Sequence, residues 1–285
     1  MVNKSILELL PVAPDTFVHE ECTSALPDLF KDEKFQKSAS VAPFGCAELA
    51  QKLSGVLPAQ WRGCRLVPMP PTSHIDGKWL TKFWEYVNAE HESRRTAAGD
   101  EDDRNADGHW EETLTHFDSW PLIPLCNEQI GAVSSRHSVV VMPEELKEAP
   151  LREILLKLGC LMLEPAFATS GLLRYTASET EPFVSVLIER LGQVFNRSDS
   201  ARESLSVAEG EELLRFLDAG GEFTDAQKSH LQRLPMFETC VNSGQLVSLD
   251  GGRFVFPPST CGGLFDPKDD SRFLKYKEEF VRIYL

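Results

Sequence analysis

Two stretches of the chain read alike: WPLIPLCNEQIGAVSSRHSVVVMP at residues 120–143 and LPMFETCVNSGQLVSLDGGRFVFP at residues 234–257. They align without a gap at a constant offset of 114 residues. Trp120-Pro121-Leu122-Ile123 falls on Leu234-Pro235-Met236-Phe237, and Cys126 on Cys240. Ala132-Val133-Ser134 falls on Leu246-Val247-Ser248, and Val140-Val141-Met142-Pro143 on Phe254-Val255-Phe256-Pro257. Self-similarity at a fixed spacing is the mark of a repeated structural unit. Each run reads as a β-hairpin. The X-Pro start holds the preceding residue extended. Asn127-Glu128-Gln129 and Asn242-Ser243-Gly244 then supply polar turns, and the second run adds a tight turn at Asp250-Gly251-Gly252. The positions that carry the repeat are Trp120, Pro121, Ile123 and Val133 in the first run, and Leu234, Pro235, Phe237 and Val247 in the second. The apolar pairs Ile123/Phe237, Val133/Val247 and Val141/Val255 are expected to face a core.

Helical patterns surround both runs. From Asp76 to about Glu92, Trp79, Leu80, Phe83, Trp84 and Val87 recur at the spacing of one buried stripe. A shorter helix is expected over 45–54, closed by Gly55, and another over Leu151–Leu158 with Gly159 just past its end. Pro182 opens a helix striped by Phe183, Val184, Leu187, Ile188, Leu191, Val194 and Phe195. Ser206-x-x-Glu209 and Thr224-x-x-Gln227 are capping boxes, the first before a helix stopped by Gly220-Gly221. Ser271 to Leu285 is rich in apolar residues, and an apolar last residue reads as a cut within a longer chain. The fold class expected is α+β: helices packed on short antiparallel β-hairpins, arranged as two related subrepeats. The divisions are 1–70, an N-terminal capping or linking segment; 71–160, the first helix-hairpin-helix subrepeat; and 161–285, the second.

Between Glu90 and Glu112, nine carboxylates stand against three arginines, and almost nothing apolar appears before Trp110. Such a stretch cannot bury enough surface to offset its ordering entropy, so a mobile loop is expected over about 90–109. Arg104 and His109 have the R-x4-H spacing of some small helical ribonucleases, but low-complexity composition explains that coincidence.

The whole chain is acidic, with a formal net charge of -15 in 285 residues. That charge repels phosphate backbones and anionic membrane surfaces, so neither nucleic acid nor membrane is expected as a partner. No run approaches the length of a membrane span, and the first ten residues lack a signal-peptide core. Seven scattered cysteines without a CxxC pair read as reduced thiols in a cytoplasmic protein.

No catalytic, cofactor-binding or metal-binding residues are assigned. His19-x-x-Cys22 has ligand spacing but no second pair to complete a zinc site. There is no G-x-S-x-G elbow, and the glycine pairs at 220–221, 251–252 and 262–263 open no phosphate-binding loop. An independent hydrolase would need a Cys–His site assembled in space from distant residues.

The order of several phrases resembles the repeat region of the sacsin-like family of giant chaperone scaffolds. These are Phe83-Trp84-Glu85-Tyr86, Trp120-Pro121-Leu122-Ile123-Pro124, Leu234-Pro235-Met236-Phe237 and Leu246-Val247-Ser248-Leu249. Upstream, Phe17-Val18-His19 and Leu57-Pro58-Ala59-Gln60-Trp61-Arg62-Gly63 look similar too. Such proteins carry Bergerat-type ATPase modules followed by subrepeats without nucleotide motifs, and this chain is similar to the latter. The resemblance implies a non-catalytic segment that spaces ATPase modules and needs no cofactor. Its implied partners are protein clients, chaperone partners and other modules of the same chain.

Overall fold

The computed structural model describes residues 9–10, 25–39, 44–70, 74–98, 110–143, 146, 150–167, 183–195, 204–220, 222–240, 246–249 and 274. The chain forms two compact units, Met1–His137 with Ala166–Tyr175, and Ser138–Pro165 with Thr176–Leu285. Both mix helices with short strands, which makes the chain α+β. No described helix is long and apolar enough to cross a membrane.

The first unit holds helices α1 (Pro27–Lys31), α2 (Glu33–Ala39), α3 (Cys46–Lys52) and α4 (Gly77–Ala98), and strands β1 (Leu66–Pro68), β2 (Pro121–Leu125) and β3 (Gln129–Ala132). Asp76 starts α4, its Oδ1 accepting the Trp79 backbone N–H at 2.9 Å. The expected stripe is buried, and Phe83 is its hub. That ring stacks on Trp79 at 5.6 Å and meets Trp84 and Phe117 edge-on at 5.2 Å each.

The helix does not stop near Glu92 but continues to Ala98, so residues 90–98 of the expected acidic loop are helical. The cause is local. Ala97-Ala98 are strong helix formers. His91 is buried and meets Trp110 edge-on at 4.6 Å. A polar average over the stretch hides that anchor. Residues 99–109 lie outside the described ones.

The sheet has the order β1-β3-β2 and is antiparallel throughout. β2 is an edge strand, yet all five of its residues are buried. Its register slips between Pro121 and Ile123, which leaves Leu122 outside the ladder. The Leu122 carbonyl instead accepts the Trp84 indole N–H at 2.9 Å. One tryptophan thus satisfies a buried backbone acceptor and seals the edge. Pro121 and Pro124, which have no N–H to give a ladder, suit an edge strand with a bulge. The turn to β3 places Asn127 at φ 65° and Glu128 at φ 53°. Asparagine visits that left-handed region readily, whereas glutamate is strained there.

The second unit holds β4 (Val139–Val140), α5 (Leu151–Lys157), β5 (Leu161–Met162), α6 (Phe183–Phe195), α7 (Val207–Asp218), α8 (Asp225–Gln232), β6 (Phe237–Glu238) and β7 (Leu246–Val247). β4 and β5 pair in parallel across α5, the connection that parallel strands require. Gly159, just past α5, has φ 84°, the left-handed stop the sequence suggested. Both capping boxes form: Ser206 with Glu209, and Thr224 with Gln227. α6 lies against α8 so closely that a Cβ on Gly192 would stand 2.5 Å from the His230 ring. α7 sits on the β6–β7 ribbon in the same manner, a Cβ on Gly210 falling 2.5 Å from Leu246 Cδ1.

Each of the two similar runs contains an antiparallel strand pair, but the registers differ. Ile123 faces Gly131 in the first run. Its counterpart Phe237 faces Val247, which aligns with Val133, so the second return strand enters the ladder two residues later. A two-residue displacement preserves which face each side chain occupies. Val133 is buried but belongs to a 3₁₀ turn, Val133–Ser138, and to no strand. Val141 is half-buried, while its neighbours Val140 and Met142 take the buried places. The first run also straddles the two units: its hairpin lies in the first, and Val139–Val140 pair with β5 in the second. The turns at 242–244 and 250–252, Val255, and the C-terminal stretch apart from Leu274 lie outside the described residues.

Candidate functional site

The eight residues singled out in the two similar runs are buried or half-buried. Trp120, Pro121, Ile123, Val133, Leu234 and Phe237 are buried, and Pro235 and Val247 are half-buried. In the first unit Trp120 fixes the entry to β2, donating its backbone N–H to the Phe117 carbonyl at 2.8 Å and accepting that of Val133 at 3.1 Å. The Arg62 guanidinium lies 5.9 Å from the Trp120 ring centroid, within cation–π reach. In the second unit Leu234 closes the turn after α8, its N–H donating to the Leu231 carbonyl at 3.0 Å. The two sets lie in different units, and each is a local anchor for its own hairpin.

Two ionic clusters join residues that no spacing in the sequence connects. In the first unit, the 3₁₀ turn carries Arg136 inward until it is 7% exposed. Its guanidinium pairs with Glu111, on the helical residues 110–115, and with Asp118 at 2.8 Å, and it donates to the Val133 carbonyl at 3.1 Å. Burial opposes the charge, yet the Glu111 hydrogen bond and the two carboxylates together hold Arg136 above its ordinary value. Hydrogen bonding from Arg136 holds the Glu111 carboxyl below the usual range, against a smaller opposing effect of burial. His137 Nε2 stands 3.6 Å from the same Glu111. A guanidinium so committed to carboxylates and a carbonyl is a structural tie and no anion receptor.

In the second unit, Lys157 at the end of α5 pairs with Glu209 in the first turn of α7. Glu209 also accepts from the Ser206 N–H and hydroxyl, each at 2.8 Å. The Lys157 bond, with those from Ser206, pushes the Glu209 carboxyl down to about 2. The sequence reveals the Ser206–Glu209 half of this cluster, because a capping box is local. Lys157 is distant in sequence, and no spacing rule announces it.

Several of the cysteines and histidines among the described residues are packed in the interior. Burial pushes the Cys160 thiol up to about 12, so at neutral pH it stays a protonated, unreactive side chain. Cys46 and Cys126 are buried, and Cys64 is half-buried with its thiol donating to the Gln60 carbonyl at 3.0 Å. His91 packs on Trp110, His230 on Gly192, and His74 and His116 are exposed. Among the described residues no group of three His, Cys, Asp or Glu is placed to hold a metal ion. His19 and Cys22 lie outside them. No protein-family model, curated protein or solved structure matches the chain.

Proposed function

We propose that this chain is a non-catalytic interaction segment of a sacsin-like chaperone or co-chaperone scaffold, working in the cytoplasm. It spaces ATPase modules and presents surface to protein clients or chaperone partners. In this reading the two similar runs are the hairpins of two related subrepeats, the first over 71–160 and the second over 161–285. The observation that carries it is the gapless match of residues 120–143 to 234–257 at an offset of 114: each run opens on X-Pro and contains an antiparallel strand pair whose Ile123 or Phe237 is buried. The order of phrases along the chain supports the family, and the structural commitments of Arg136, Glu209 and Cys160 fit a part built for packing.

Two measurements on the purified chain test the proposal. Isothermal titration with magnesium-ATP should give no saturable heat. Light scattering from a thermally denatured client should fall as the chain approaches equimolar ratio, with no nucleotide added. Micromolar ATP affinity, or unchanged client aggregation, contradicts the proposal. Hydrolysis of a chromogenic ester that is abolished by thiol alkylation would instead establish a hydrolase with a Cys–His site.

A further inference from the structure

We draw no further inference here: the strongest candidate, the exposed apolar patch of Leu26 (53%) and Leu29 (39%) at the start of α1, carries nothing because no feature of the structure shows what covers it.

Discussion

Truncating Phe237 to alanine puts the second hairpin to a quantitative test. The ring is 1% exposed and sits in β6 opposite Val247. Returning a fully buried phenylalanine side chain to water forfeits about 1.5–3 kcal/mol. A void of about 60 Å³ left after partial collapse adds about 1.5 kcal/mol, at about 24 cal/mol per Å³. The sum, about 3–4.5 kcal/mol, lies inside the usual range for such a truncation. All five tryptophans, Trp61, Trp79, Trp84, Trp110 and Trp120, lie in the first unit. Urea unfolding followed by tryptophan fluorescence therefore reports that unit, while far-ultraviolet circular dichroism reports both. Phe237→Ala should lower the midpoint seen by circular dichroism. Ile123→Ala, its counterpart at 0% exposure, should destabilise the transition seen by fluorescence by about 2–5 kcal/mol. A cost below about 1 kcal/mol for Phe237→Ala would refute the reasoning, since it lies outside the range for a fully buried aromatic ring.

Other perturbations probe separate ties. Trp84→Phe keeps a buried aromatic but strands the Leu122 carbonyl; it should cost about 1–3 kcal/mol in urea unfolding, and an unchanged midpoint would deny the edge-sealing role. Gly192→Ala should gain about 1 kcal/mol of helix propensity and lose more to overlap with the His230 ring, for a net loss of about 1–2 kcal/mol. In a His230→Ala background the same substitution should turn stabilising, and a loss there would show that the contact is misassigned. Glu209 titrates at about 2 in the folded chain against an ordinary 4.5, so its pairing with Lys157 and Ser206 stabilises fully above about 4.5. That stabilisation drains away as pH falls toward 2. Glu209→Gln should flatten this part of the Tm-against-pH curve measured by circular dichroism, and an identical acid limb would show the pairing to be idle.

Local signals are the legible part of this fold. Asp76, Ser206 and Thr224 announce helix starts because a cap depends on residues three apart, and Gly159 announces a stop because its φ is positive. The stripe of Trp79, Phe83 and Trp84 announces a buried face. The end of α4 is hidden because composition averaged over the acidic stretch outweighs one buried residue, His91, whose partner Trp110 is distant in sequence. The strand pairs are legible from X-Pro and alternation, but their registers are not. Register depends on the left-handed turn at Asn127 and Glu128 and on a bulge at Leu122 whose carbonyl is claimed by a tryptophan from another element. The role of Arg136 is hidden for the same reason: Ser134-Ser135-Arg136-His137-Ser138 reads as a polar turn until Glu111 and Asp118 are brought beside it. Of the positions singled out in the two runs, Trp120, Pro121, Ile123, Val133, Leu234 and Phe237 are buried, and Pro235 and Val247 are half-buried.

The size of the native protein that contains this sequence tests the central claim most directly. An antibody raised against the purified chain, applied to a denaturing blot of cells that express it, should reveal a band far above the 31.9 kDa of these 285 residues, because a scaffold segment is one part of a giant chain. Peptide sequencing of that band should then find a Bergerat-type ATPase module preceding the segment. A single band at 31.9 kDa that persists under protease inhibition would contradict the account.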